Sequence, residues 1–127
     1  MEHWDLSTLD VEPHKPQVLH STRGEARSIA LHLPAGEGLQ DHQVHERAHV
    51  VVISGEIEIE IDGAEIVTGS AGLLAVFDPN ERHEVRARSD ARLLLVLAPW
   101  PGPGHPGARD SRGGLSFLGL EVHEERG

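Results

Sequence analysis

The sequence predicts an all-β fold, an antiparallel barrel or sandwich. Three observations carry that expectation. Turn residues recur about every eight to twelve positions through the middle of the chain, apolar and polar residues alternate between them, and no long stretch has helical periodicity. Composition agrees: tyrosine is absent, and only Trp4, Trp100, Phe77 and Phe117 are aromatic. A core must therefore rest on Val, Ile, Leu and Ala, a diet that favours strands.

Taken in order, residues 26–33 place Ile29, Leu31 and Leu33 on one face of a first clear strand, which the turn residues Pro34, Ala35 and Gly36 end. In residues 56–61, Glu56, Glu58 and Glu60 alternate with Ile57, Ile59 and Ile61, so one face is wet and the other buried. Asp62-Gly63 then reads as a two-residue hairpin of type I′, a turn that needs positive φ at both central residues. Residues 64–67 pair back, the chain turns at residues 69–72, and residues 73–77 form a short apolar strand ended by Asp78-Pro79-Asn80. His83, Val85 and Ala87 alternate with Glu84, Arg86 and Arg88, which sets His83 on the apolar side of its strand. Residues 92–97 follow after a turn at Ser89-Asp90. About eight strands are expected between Val18 and Leu97.

At 127 residues the chain has room for one domain, with a barrel core over about 18–98. Residues 99–114 are rich in Pro and Gly, and no regular element can be built from residues 99–104. Residues 115–127 read as a C-terminal arm or tail, whose apolar part, 115–122, would cover a barrel edge or a neighbouring subunit.

The formal net charge of −10 sets 21 acidic residues against 11 Lys plus Arg, a balance that repels nucleic-acid phosphates and anionic membrane surfaces. No apolar run approaches the ~20 residues that span a bilayer, and residues 1–10 lack the pattern of a secretory leader. A cytoplasmic protein is expected. With no cysteine, any metal chemistry falls to the ten histidines and the carboxylates.

Two stretches carry most of the functional reading. The first runs from Gly36 through His42, His45, Glu46 and His49 to Gly55, and the second from Gly72 through Asp78, Pro79 and Asn80 to His83. In these residues the sequence resembles the cupin superfamily. Its first motif is Gly, five residues, His-x-His, three or four residues, Glu, six residues and Gly; its second is Gly, five residues, Pro-x-Gly, two residues and His. The second motif matches in spacing at Gly72 and His83, with Asn80 where the family has Gly, and Asn tolerates a left-handed backbone better than most side chains do. The first matches at Gly36, His42 and Gly55, but Val44 stands at the second histidine position and Ala48 at the glutamate position.

The resemblance covers residues 30–98 and implies a double-stranded β-helix, with His42 and His83 projecting into the barrel, a homodimeric assembly, and a small-molecule ligand or substrate. It also implies a divalent metal, for which iron, manganese, nickel and zinc are all candidates. Two imidazoles are too few, because catalytic zinc usually has three protein ligands and non-haem iron uses two histidines and a carboxylate. His45, Glu46 or His49 would supply the third, given a β-bulge near Glu46-Arg47 that shifts the strand.

Three functional readings follow. The first is a barrel site, metal-dependent, with dioxygenase- or isomerase-type chemistry. The second is a metal-free, non-catalytic ligand-binding module, supported by Val44 and Ala48. The third takes His45-Glu46-Arg47-Ala48-His49 as the His-Glu-x-x-His of zinc peptidases. That motif works on a helix, where the histidines have Cβ atoms about 5–6 Å apart, whereas on a strand they lie about 13 Å apart. The β-branched run from Val50 to Ile53 argues for the strand. The carboxylates Glu56, Glu58 and Glu60 are expected to face water, and the other histidines, His105 among them, to be solvated or at an edge.

Overall fold

The computed structural model describes residues 1–42, 44–63, 65–105 and 122–123. All the regular structure among them is strand: β1 (Gln17–Ser21), β2 (Arg27–Leu33), β3 (Gly38–His42), β4 (Arg47–Ser54), β5 (Ile57–Ile61), β6 (Glu65–Gly69), β7 (Leu74–Phe77), β8 (His83–Ala87), β9 (Ala91–Ala98) and β10 (Val122–His123). Two five-stranded antiparallel sheets result. One has the order β1-β2-β9-β4-β7, the other β10-β3-β8-β5-β6. The all-β expectation holds, with nine strands rather than eight between residues 17 and 98.

The alternation in each strand decides which side faces the partner sheet. From the first sheet, Ile29, Leu31 and Leu33 of β2, Val50 and Val52 of β4, and Leu93, Leu95 and Leu97 of β9 are buried. They meet Leu39 of β3, Ile57 and Ile59 of β5, and Val85 and Ala87 of β8 in one aliphatic cluster. Burying a side chain of this size stabilises the fold by about 1.5–3 kcal/mol, so a one-residue slip of any central strand would forfeit several such contributions at once.

The outward positions of the second sheet are charged. Arg86 reaches Glu58 and Glu60 across to β5 at 2.6 and 3.1 Å and Glu84 on its own strand at 2.7 Å, and these bonds, chiefly the one to Glu58, hold its pKa above the usual arginine range. Hydrogen bonding from Arg86 likewise lowers the Glu58 carboxyl. The glutamate row is thus a face turned outward and paired with arginine. On the first sheet, residues 9–11 lie against the outward side of β2 and β9, where the Leu9 carbonyl accepts from Arg92 and the Val11 carbonyl lies 2.9 Å from His32 Nδ1.

The turns show where sequence chemistry was specific. Asp62 and Gly63 both have positive φ, 52° and 68°, yet the β5–β6 ladder closes at Ile61 opposite Glu65. The loop is therefore one residue longer than the two-residue hairpin expected from Asp-Gly. Asn80 adopts φ 66°, the left-handed conformation that its place in the second motif requires. Residues 99–105 contain no strand, as their Pro and Gly content predicts. Val122 and His123 pair with Leu39 and Gly38 on the β3 edge, and the rest of the expected C-terminal arm lies outside the described residues.

Gly55, between β4 and β5, has φ 84°, and a Cβ built on it would overlap the Asp90 carbonyl oxygen. Gly55→Ala combines a disfavoured backbone with a backbone clash, and is expected to cost about 3 kcal/mol. A urea midpoint unchanged from the parent would show that neither constraint is real.

Candidate functional site

Several strand ends converge at one end of the barrel. Across the first sheet, Phe77, Ala48, Leu97 and Arg27 occupy one continuous register row, from β7 through β4 and β9 to β2. The odd-numbered residues of β2 point inward, so Arg27 is the polar end of an otherwise apolar inner row. Across the second sheet, Ile61, His83 and His42 form the matching row. Phe77 and His83 join the two, their rings stacked at 3.9 Å and inclined by 9°.

His83 is 3% exposed. Its Nδ1 lies 3.0 Å from the Glu81 carbonyl oxygen, and because a carbonyl only accepts, the neutral ring carries its proton on Nδ1 and its lone pair on Nε2. The turn that delivers it is docked on the first motif: the left-handed Asn80 donates its N–H to the Val44 carbonyl at 2.7 Å, and Arg47 pairs with Asp78 at 2.7 Å. This explains why the second motif ends as it does. The Asn80 conformation turns one amide onto the β3–β4 connection and sends His83 inward.

The four candidate ligands whose side chains are described, His45, Glu46, His49 and His83, do not gather in one place. His42 stands opposite His83 in the register. His49 lies on β4 between Val76 and Val96, on the side alternate to Ala48 and Val50, and so belongs to the outer face. The bulge that would turn it inward is absent: β4 pairs with β9 without interruption from Arg47 to Val52, and the register shift falls between Val52 and Ser54. His45, just before β4, makes an edge-to-face contact with His105 at 5.7 Å. Glu46 shares the inward parity of Ala48 and Val50 and has no exposed surface. Its Oε2 accepts from the Gly102 N–H at 2.6 Å.

The zinc-peptidase reading ends here as well. His49 is inside an extended strand and His45 precedes it, so residues four apart are separated by about 13 Å rather than one helical turn.

Sequence reasoning missed a second polar cluster, built by residues 99–105 folding back over the barrel end. Trp100, Gly102 and His105 are buried, and Trp100 is held by the β1–β2 turn through Gly24 N–H to its carbonyl at 2.6 Å and its own N–H to the Glu25 carbonyl at 3.2 Å. The Arg27 guanidinium lies 4.1 Å over the Trp100 ring, and the His105 ring meets that indole at 4.8 Å. Burial pushes the His105 pKa down; Glu46 opposes this, while His45 and Arg27 add to it. Burial also lowers Arg27, again opposed by Glu46. Expected at an edge, His105 is in fact 3% exposed. Glu46 was legible through its alternation with Ala48, Val50 and Val52. Its partner, 56 positions along the chain, was not.

A family-type metal does not fit this donor set. Where the motif calls for a second histidine and a glutamate, Val44 and Ala48 are buried at 2% and 1% exposure. Among the described residues no three metal-ligating side chains come together.

Two facing antiparallel five-stranded sheets joined by tight turns define a double-stranded β-helix. The family model for the cupin domain matches residues 30–98; the chain belongs to the cupin family. It is 30% identical over 94 residues to the L-ectoine synthase of Vibrio campbellii, an alignment covering 72% of this chain and 62% of that protein. The chain thus spans less than two thirds of this curated relative. Among solved structures, an RmlC-like cupin from Desulfovibrio desulfuricans superimposes with a TM-score of 0.68 at 23% identity, covering 78% of this chain and 96% of the other. An RmlC-like cupin with a double-stranded β-helix fold from Methanocaldococcus jannaschii gives 0.65 at 20% identity, with 72% and 85% covered. These likenesses establish the fold. No helix among the described residues is long and apolar enough to cross a membrane.

The packing of residues 99–105 depends on a missing side chain. A Cβ on Gly102 would lie 2.6 Å from the His45 carbonyl oxygen and 3.2 Å from Glu46 Cγ. Gly102→Ala is expected to lift this segment at a cost of about 1–3 kcal/mol. In a Trp4→Phe background, the remaining Trp100 fluorescence should then shift to the red; an emission maximum that stays put would contradict this packing.

Proposed function

We propose that this cupin binds a small organic molecule at the barrel end that carries His83 and Phe77, with His42 opposite His83 in the register. The observation that carries the reading is His83 itself, a buried imidazole clamped by an aromatic ring and oriented by the Glu81 carbonyl in an otherwise aliphatic interior. Apolar walls with few, fixed polar groups are what hold and orient an organic ligand. The likeness to a synthase of L-ectoine supports a small organic occupant. Which reaction follows binding, if any, is not part of the proposal, since one fold hosts many functions.

The register pairing of His42 with His83 favours one second reading, in which the two hold an iron, manganese, nickel or zinc ion and dioxygenase- or isomerase-type chemistry opens to the protein. It lacks a third ligand at the positions of Val44 and Ala48. Metal analysis by plasma mass spectrometry decides between them. Substoichiometric metal is expected in the parent after reconstitution, together with ligands that raise the melting temperature of the parent but not of His83→Ala. Near-stoichiometric metal lost from both His42→Ala and His83→Ala would replace the metal-free reading.

We further read the protein as a cytoplasmic homodimer that binds neither nucleic acid nor membrane. Support comes from the outer face of the first sheet. There Leu74 and Val76 of the edge strand β7, 55% and 47% exposed, continue a half-buried apolar surface through Val51, Leu94 and Val96. Light scattering should give twice the chain mass for the parent and the chain mass for Leu74→Glu/Val76→Lys. A monomeric parent would remove the dimer.

A further inference from the structure

We propose that Glu46 is the anchor for a protonated amine on the ligand of this barrel, and that residues 99–105 form the wall of that subsite. The inference rests on the small-molecule reading above and adds a ligand class to it. Glu46 has no exposed surface, and only one of its two carboxylate oxygens is used: Oε2 accepts from Gly102 N–H, while Oε1 is buried without a hydrogen bond. An ionised carboxylate removed from water with an unused oxygen is costly unless a donor reaches it. The group is also in the right place. Glu46 precedes β4 with inward parity, two residues before Ala48, which stands in the row joining Phe77 to Arg27.

The surroundings select the donor. An oxygen that only accepts requires N–H or O–H, and a charged donor to a carboxylate forms a bond roughly twice as strong as a neutral one. The His105 ring lies within the field of Glu46 and meets the Trp100 indole edge-on at 4.8 Å. The Arg27 guanidinium lies 4.1 Å over that indole. The net charge of −10 draws cations rather than anions toward the protein. Among the described residues no three metal-ligating side chains come together to hold a metal ion, whereas an ammonium N–H needs only one acceptor.

The test is titration of isotope-labelled protein with butylammonium, using tetramethylammonium as a control that carries the charge without an N–H, followed by amide resonances in nuclear magnetic resonance. Butylammonium should shift the Gly102 amide of the parent, tetramethylammonium should not, and affinity should fall about tenfold or more in Glu46→Gln. Glutamine keeps an acceptor for the Gly102 N–H, and an unchanged circular dichroism spectrum and melting temperature establish that the variant is folded. Equal shifts from tetramethylammonium, or undiminished affinity in Glu46→Gln, overturn the amine anchor. Shifts at Phe77 and His83 with Gly102 untouched overturn it while leaving the barrel reading intact, and shifts at none of the three overturn both.

Discussion

In β4 the two-residue period of a strand is enforced by Ala48, Val50 and Val52, each nearly inaccessible to solvent and packed against the facing sheet. Everything at the polar end of the barrel follows from that enforcement. Extending the same parity one step toward the N-terminus delivers Glu46 to the interior. The opposite parity sends His49 to the outer face beside Val76 and Val96. Slipping the strand to bring His49 inward would move the whole Val/Ala row outward, a loss of several kcal/mol against the gain of one metal ligand. The register therefore holds, and the histidine-rich stretch that attracts attention in the sequence is divided between two faces.

What could be read in advance was local. The Ile/Glu alternation of β5, the aliphatic face of β2 and the inward setting of His83 each depend on neighbours in the same strand, and the left-handed Asn80 depends on its own turn. The cluster around Glu46 depends on chain that returns much later. Gly102 reaches the carboxylate because it has no Cβ to strike the His45 carbonyl, a contact with no periodicity and no motif. The one local clue was Glu46 itself, a carboxylate at an apolar parity. The β5–β6 loop differs for another reason: Asp62 and Gly63 take the expected backbone conformation, but the ladder closes one residue later on the return strand. Turn chemistry fixed the conformation and left the length to the sheet.

The two carboxylate environments of this protein show which of them holds free energy in reserve. Glu58, Glu60 and Glu84 share Arg86 on a partly solvated face, where water screens each pair and keeps its contribution small. Glu46 has no such screening. Removing a carboxylate from water costs several kcal/mol, against which one charge-assisted hydrogen bond returns about 1.5–3 kcal/mol. The field of Arg27 offsets part of the remainder. The rest is a standing cost, met by the aliphatic core.

Such a cost has a direction. A fold maintained only for stability gains by replacing a buried, half-satisfied carboxylate with an apolar side chain of similar volume, and the neighbouring inward positions of β4 are Ala48, Val50 and Val52. At the positions where the first cupin motif has a histidine and a glutamate, this chain has Val44 and Ala48. Glu46 keeps its carboxyl group at the end of the barrel where the Phe77–His83 stack joins the two sheets, and Gly102 of residues 99–105 donates to it. Under the proposed function, polar groups that burden the folded state and converge on one end of the barrel are what that end offers to a ligand.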